Sequence, residues 1–478
     1  MTATRFRILE VQRFEWPFRL RMPFRFGVIT VTHGRQAVIR ARIRTEDGRE
    51  GWGIAAETLA AKWFDKDPRW TDAQNEDQLR RALEISASAS LAAGLDTAFG
   101  HFANQYAGQI AAGAAEELNP LVASYGRALL DRAALDALLK IEELSFAEGT
   151  RRNIGGMARH AVIPDLAGFD FGAMLGALKP MARMHARHTV GLVDPITAAD
   201  QVERVNDGLP ETLEEVAGTY RHSYWKLKVG GNIAADVERL SRIASVLDTL
   251  PGGYHASLDG NEQYEDADGV LALWRAMEAE KRLDKLRASI LFIEQPVKRA
   301  KALAASMGTL AAARPVIVDE SDGPLDSFVR ARALGYTGIS SKACKGVWRS
   351  LINLARCKAW NAEANAQQFF MSAEDLTTLA GVCVQQDLAL VSAMGLTHVE
   401  RNGHHFVDGF SGRPKAEAVR FMEEYPDLYA DTPRGPRLAI REGVLELGSV
   451  NTAKGLGATI EPDTSAMEPM PKAAWPVA

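Results

Sequence analysis

The feature that most constrains this chain is a repeated unit beyond about residue 185, in which a short apolar or β-branched run is followed by a helical stretch. The runs are HTVGLV, YWKLKV, YHASLD, ILFIEQP, VIVDE, GISSKA, AQQFFMS and LTHVE, with helical stretches such as AADVERLSRIASVLDTL between them. Eight strands alternating with helices predict a closed α/β barrel. An open doubly wound sheet would carry a Gly-rich phosphate turn after its first strand, and none is present.

The polar residues that end these strands are not those that apolar strands need. The second strand ends in Lys226-Leu227-Lys228, the third in Asp259-Gly260-Asn261, the fourth in Glu294, the fifth in Asp319-Glu320 and the sixth in Lys342. Their spacing, about 23 to 35 residues, suits one βα unit each. Residues two apart on a strand point the same way, so Lys226 and Lys228 share one face. A lone Lys-x-Lys is usually a solvated edge, and a lone strand-terminal Asp is often a helix cap. Five such groups at one barrel mouth would repel one another and lose hydration unless they bound something. Three carboxylates suit a hard cation, best Mg²⁺, with Mn²⁺ an alternative, and the lysines could then serve as acid and base.

The N-terminal region reads differently. In AVIRARIRTEDGREGWG, Val38, Arg40, Arg42 and Arg44 alternate with Ile39, Ala41 and Ile43, which predicts an antiparallel strand with a solvated arginine face. Asp47-Gly48 supplies a hairpin turn. From Asn75 to about Glu148 the pattern is helical, and residues 149–183 read as an irregular connection.

The set YWKLKVGGN, SLDGNEQY, FIEQP, VDES and SSKACKG resembles the enolase superfamily, in particular its muconate-lactonizing-enzyme-like subgroup within the mandelate racemase/muconate lactonizing enzyme family. MPFRFGVITVTHGRQAVIRARIRTEDGREGWG is similar to that family's cap, RALLDRAALDALLK to a cap helix, and GVLELGSV with GLGATIEPD to a C-terminal segment that returns to the cap. The resemblance implies a modified (β/α)₇β TIM-type barrel, residues 184–430, under an α+β N-terminal capping domain, residues 1–183 with 431–478. It implies Asp259, Glu294 and Asp319 as metal ligands, and Lys228 and Lys342 as lysines on opposite faces of the substrate. Lys226 would lie beside the substrate carboxylate and lower the basicity of Lys228, while Asn261 and Glu320 would support the site.

The implied reaction is Mg²⁺-dependent removal of a proton α to a carboxylate, giving an enediolate. A general physical rule agrees: such a dianion needs fixed positive charge as it develops. Reprotonation would give a racemase or epimerase, the outcome that uses both lysines most directly. Cycloisomerisation and β-elimination, as in a dehydratase or an o-succinylbenzoate-synthase-like enzyme, are the alternatives. A Schiff-base barrel leaves the carboxylates unexplained, and a non-catalytic binding protein leaves the lysines so.

The mandelate racemase branch uses an Asp and a His where this chain offers Lys342 and, near the seventh strand, Ser372, Glu374 and Asp375. In the eighth strand and its loop, Glu400, Arg401, Asn402, His404 and His405 lie where a barrel reads substrate side groups. His404-His405 is expected to be a surface pair rather than a metal site. In the cap, Trp63, Phe64 and Trp70 are candidates for closing over a ligand or for packing on the cap or an oligomer interface, and Arg69 for pairing with a second anionic group of the substrate. The chain is longer than is usual for the resembled family, near 56–76, 149–183 and 400–430.

Formal net charge is -5, with no basic stripe, which argues against nucleic acid and acidic membranes as partners. No apolar run reaches the roughly 20 residues that span a bilayer, and the start resembles neither a secretory nor a transit leader. Three cysteines without metal or redox spacing read as free thiols in a reducing cytoplasm. The expected partner is a small carboxylate, and the resemblance implies a homo-oligomer.

Overall fold

Strand and helix segregate along the chain as their periodicities differ. In this computed structural model, which describes residues 3–476, the N-terminal strands β1 (Phe6–Phe26), β2 (Ile29–Thr45) and β3 (Glu50–Thr58) form an antiparallel meander. Ile39, Ala41 and Ile43 are buried against helices, while Arg40, Arg42 and Arg44 lie on the other face. That face is only half solvated. Arg40 pairs with Glu461, Arg42 with Glu10, and Arg44 with Glu50.

Three helices, Asp72–Ala92, Ala98–Ala115 and Pro120–Ile141, cover the buried face. Each begins at a side-chain cap: Thr71, Thr97 and Asn119 accept the orphan N–H groups of the first turn. The third helix lies so close to β3 that a Cβ at Gly53 would meet Ala133 O and Ala137 N, both at 2.2 Å. Only glycine allows that approach. The expected irregular connection carries short helices at Phe146–Arg151 and Phe171–Gly176.

Eight parallel strands then close into a barrel: β4 (Arg183–Val190), β5 (Tyr224–Lys228), β6 (His255–Asp259), β7 (Ile290–Glu294), β8 (Val316–Val318), β9 (Gly338–Ser341), β10 (Phe370–Ala373) and β11 (His398–Glu400). Pairing of β11 with β4 completes the circle. Each overlaps one of the eight runs read from the sequence, in order, although the first strand lies earlier than read, at Arg183–Val190 rather than over HTVGLV. The fold is thus an α/β barrel of the TIM type with an antiparallel capping sheet, as expected.

The C-terminal segment is divided. Val444–Glu446 adds antiparallel to β4 on the barrel, while Glu468–Pro469 adds to β1 of the cap sheet. No helix among the described residues is long and apolar enough to cross a membrane.

Candidate active site

Register sets the level of the site. Lys228 is paired with Asp259, and Asp259 with Glu294, so three functional side chains leave adjacent strands at one height. Period-two alternation turns Lys226 and Lys228 inward while Leu227 packs outward into the core. Lys228 on the second barrel strand and Lys342 after the sixth lie across the barrel from each other, four strands apart in a ring of eight. Both border one cavity of about 160 Å³ at the C-terminal ends of the strands, under the cap.

The ionic geometry is dense. The Lys226 ammonium stands among four carboxylates: Asp259 at 2.9 Å, Glu294 and Glu374 at 2.8 Å, and Glu400 at 3.0 Å. Lys228 donates to Asp259 Oδ2 at 2.6 Å, and Lys342 to Asp319 Oδ2 at 2.6 Å. Lys345 donates to Asp319 O at 2.8 Å and to Ser340 Oγ at 2.7 Å. Asp259, Glu294 and Asp319 have no exposed surface. Two strand-end residues, Asn261 and Gln295, hold left-handed φ of 40° and 34°, a strained conformation common at functional sites. The Gln295 side chain steadies this corner by accepting from Asp319 N and Ser321 N.

These contacts push the acidities apart. Burial would raise Asp259, but the ammoniums of Lys226 and Lys228 outweigh it and hold the carboxyl below its usual range. Asp319 is likewise buried and is pulled well down by Lys342 and Lys345. Glu294 moves the other way, raised well above the usual range by burial and by the neighbouring Asp259 and Glu374. Lys342 is buried too, yet Asp319 outweighs burial and holds it as an ammonium, above the usual lysine range.

Two features of the donor set bear on a divalent cation. Asp259, Glu294 and Asp319 offer hard oxygen ligands from three successive strand ends, and Asp259, Glu294, Glu374 and Glu400 crowd within 3.0 Å of the single Lys226 ammonium. Glu294 Oε2 meets no donor in hydrogen-bond geometry, although the Lys226 ammonium is 2.8 Å away. Among the described residues no three such side chains converge in ligating geometry, because ammoniums stand between them. The chemistry of the set fits Mg²⁺, with the lysines in competition for the same oxygens.

The supporting pair is in place: Asn261 Nδ2 donates to Glu320 Oε1 at 3.0 Å. Of the candidate substrate contacts, Trp63, Glu400 and Asn402 line the cavity. Arg69 does not; it is exposed and pairs with Asp67, two residues away. Trp63 sits in the short helix Ala61–Phe64, its ring 4.3 Å from Lys342 Nζ. Arg299 latches that helix to the barrel by donating to Trp63 O and Phe64 O while pairing with Glu262.

The expectation of a surface pair at His404-His405 is overturned. Both are buried in the short helix Asn402–Phe406, packed near His188 and Tyr220 on the outer side of the barrel wall. The reading missed Arg187 and Lys345. Arg187 on β4 is fully buried and pairs with Glu374. Alternation within HARHTV, which turns Arg187 and Thr189 to one face, was the available signal. The three cysteines are free and buried.

No family model matches this chain, and no curated protein matches it either. Solved structures do. A muconate lactonizing enzyme from Mucobacterium Smegmatis, complexed with muconolactone, superposes with a TM-score of 0.58 at 18% identity, over 96% of this chain and 98% of that one. A dipeptide epimerase from Enterococcus faecalis V583, complexed with Mg and the dipeptide L-Leu-L-Tyr, gives 0.58 at 16% identity, over 94% and 99%. An unknown member of the enolase superfamily from the same organism gives 0.58 at 15% identity, over 97% of each chain. At this identity the likeness concerns the fold, and along nearly its whole length the chain has the capped-barrel fold of these enolase-superfamily structures.

Proposed function

We propose that this chain is an enolase-superfamily enzyme, an isomerase or lyase, that removes the proton α to a small-molecule carboxylate. The observation that carries the proposal is the placement of Lys228 and Lys342 across one cavity, among strand-end carboxylates. Asp259, Glu294 and Asp319 would hold Mg²⁺, which when bound supplies positive charge to the substrate carboxylate.

The chain's own residues account for the rest. One lysine takes the α-proton and the other, on the far side, returns one, with racemisation or epimerisation as the outcome. For either amine to act as a base, it must reach the cavity uncharged. Lys226, Arg187 and Glu374 form a buried ion network that fixes the floor of the site. The cap closes the mouth and excludes water through Trp63 and its Arg299 latch. Cycloisomerisation and β-elimination use the same first step. The fold is shared with a muconate lactonizing enzyme as well as with dipeptide epimerases, so the fold is compatible with either outcome.

The test is proton exchange. A panel of α-substituted carboxylates incubated with the protein and Mg²⁺ in D₂O is expected to yield at least one acid that gains α-deuterium. Lys228→Ala and Lys342→Ala should each abolish exchange. A panel with no exchange, together with equal Mg²⁺ binding by wild type and Asp259→Asn, would refute the reading.

A further inference from the structure

One cap side chain carries a charge across to the barrel beside the strand-end carboxylates. Helix Ala61–Phe64 runs into a loop whose start is tied down by Asp65, which accepts from Asp67 N at 2.9 Å and from Gln78 Nε2 at 3.3 Å. Lys66, the next residue, reaches out of the cap to the ends of the third and fifth barrel strands. Its ammonium lies 2.6 Å from Glu262 Oε2 and 3.5 Å from Glu320 Oε1, and it donates to Asn261 O at 3.2 Å. On the cap side it lies 5.8 Å from the Phe26 ring.

The groups that Lys66 touches lead directly to the candidate metal ligands. Asn261 and Glu262 hold left-handed φ of 40° and 70°, a strained turn that persists only where its surroundings hold it. Asn261 N donates to Asp259 Oδ1 at 2.8 Å, and Asn261 Nδ2 donates to Glu320 Oε1. Glu320 follows Asp319 in the chain, and its side chain has no exposed surface. Its Oε2 has no hydrogen-bond donor among the described residues. The barrel answers these carboxylates with Arg299, which forks onto Glu262 at 2.8 and 2.9 Å. The counter-charge paired with Glu320 comes from the cap. Lifting the loop leaves Glu320 without it and makes this corner one charge more negative.

Electrostatics gives the arrangement a sign. A cation drawn to Asp259, Glu294 and Asp319 is attracted by Glu262 and Glu320 and repelled by the Lys66 ammonium. The Lys66 side chain is only 22% exposed, so water and salt screen it incompletely. By linkage, a docked loop weakens cation binding and a bound cation weakens the hold of the loop.

We propose that Lys66 is a positioning residue that holds the cap loop on the barrel while its charge opposes cation binding at Asp259, Glu294 and Asp319. The cation is then taken up more tightly when the loop is lifted. The inference rests on the proton-abstraction reading for the cation and goes beyond it in naming a cap residue that governs the metal site.

The experiment measures charge and docking separately. Mg²⁺ is titrated calorimetrically into the full chain as wild type, Lys66→Met and Lys66→Arg, each checked for native circular dichroism. Hydrogen exchange of residues 61–71 is followed by mass spectrometry on the same samples. Lys66→Met is expected to bind Mg²⁺ about 3-fold more tightly than wild type. Its residues 61–71 are expected to exchange about 10-fold faster. Lys66→Arg, which keeps the charge, should match wild type in both. A merely structural role for Lys66 leaves Mg²⁺ binding unchanged or weaker in Lys66→Met, and that result overturns the proposal, as does unchanged exchange. Asp259→Asn binding Mg²⁺ as tightly as wild type would instead remove the metal site itself, and with it the charge effect, leaving exchange to judge the loop contact.

Discussion

Two clusters of buried ionisable side chains flank the first barrel strand, and they solve burial in opposite ways. Inside the barrel, Arg187 and Thr189 of β4 join a cage in which carboxylates and ammoniums alternate at 2.6–3.0 Å. Outside it, His188 of the same strand packs against His222 and His405, with His404 nearby against Tyr220. No carboxylate hydrogen-bonds to these imidazoles among the described residues, and His222 Nε2 and His404 Nε2 lack any partner. The cage buries full charges by pairing them. The histidine cluster buries groups that stay neutral.

The difference teaches where chemistry and where stability reside, and each half can be challenged. The largest effect belongs to the cage. Lys228→Ala or Lys342→Ala is expected to lower turnover by about 10²–10⁴-fold, the usual worth of a positioned acid or base. Each change also takes an ammonium away from a buried carboxylate, so melting is expected to fall as well. Turnover is therefore measured on protein with native circular dichroism. A variant that melted early yet kept turnover would reverse the roles assigned here.

Next, Glu374→Gln removes the counter-charge of Arg187 and one of those around Lys226. Breaking a buried pair from one side costs about 3–5 kcal/mol. A urea titration showing a loss under about 1 kcal/mol would mean that the network does not pair its charges as described.

The histidine cluster predicts acid sensitivity. Burial lowers His222 from 6.5 to about 4, against a hydrogen bond with Ala186 O that acts the other way. His188, His404 and His405 are held well below their ordinary value, first by burial and then by neighbouring cations and imidazoles. The unfolded chain therefore binds more protons than the folded one at mildly acidic pH. The stabilisation is complete above about 6.5 and drains away as pH falls toward about 4. For His222 alone the shift corresponds to about 3 kcal/mol. His222→Phe should flatten the stability–pH curve between those limits, as measured by chemical denaturation at a series of pH values.

The smallest effect sharpens the cage again. Magnesium at about 100 times its dissociation constant should stabilise the wild type by about 2.7 kcal/mol. Asp259→Asn should erase that shift in melting temperature. If the variant responds as the wild type does, the ion binds elsewhere.

Much of this was legible along the chain, for a physical reason. A barrel strand is a short local apolar run, so all eight could be read from sequence and were found in order. Lysine and carboxylate at strand ends are conspicuous because nothing in strand packing requires them there. Arg187 and His404-His405 were not legible. An arginine within a strand and a histidine pair after one look like surface residues until a neighbour covers them.

By itself, then, the sequence determined the strand–helix alternation, the turn and cap signals and the chemical kind of each strand end, because these depend on neighbours a few residues apart. Only the tertiary structure decided that Lys226 would sit among four carboxylates, and that Arg69 would face water while Trp63 lay over Lys342. Barrel closure and cap docking bring together groups hundreds of residues apart. Which charges then meet depends on register and approach, which local sequence does not encode.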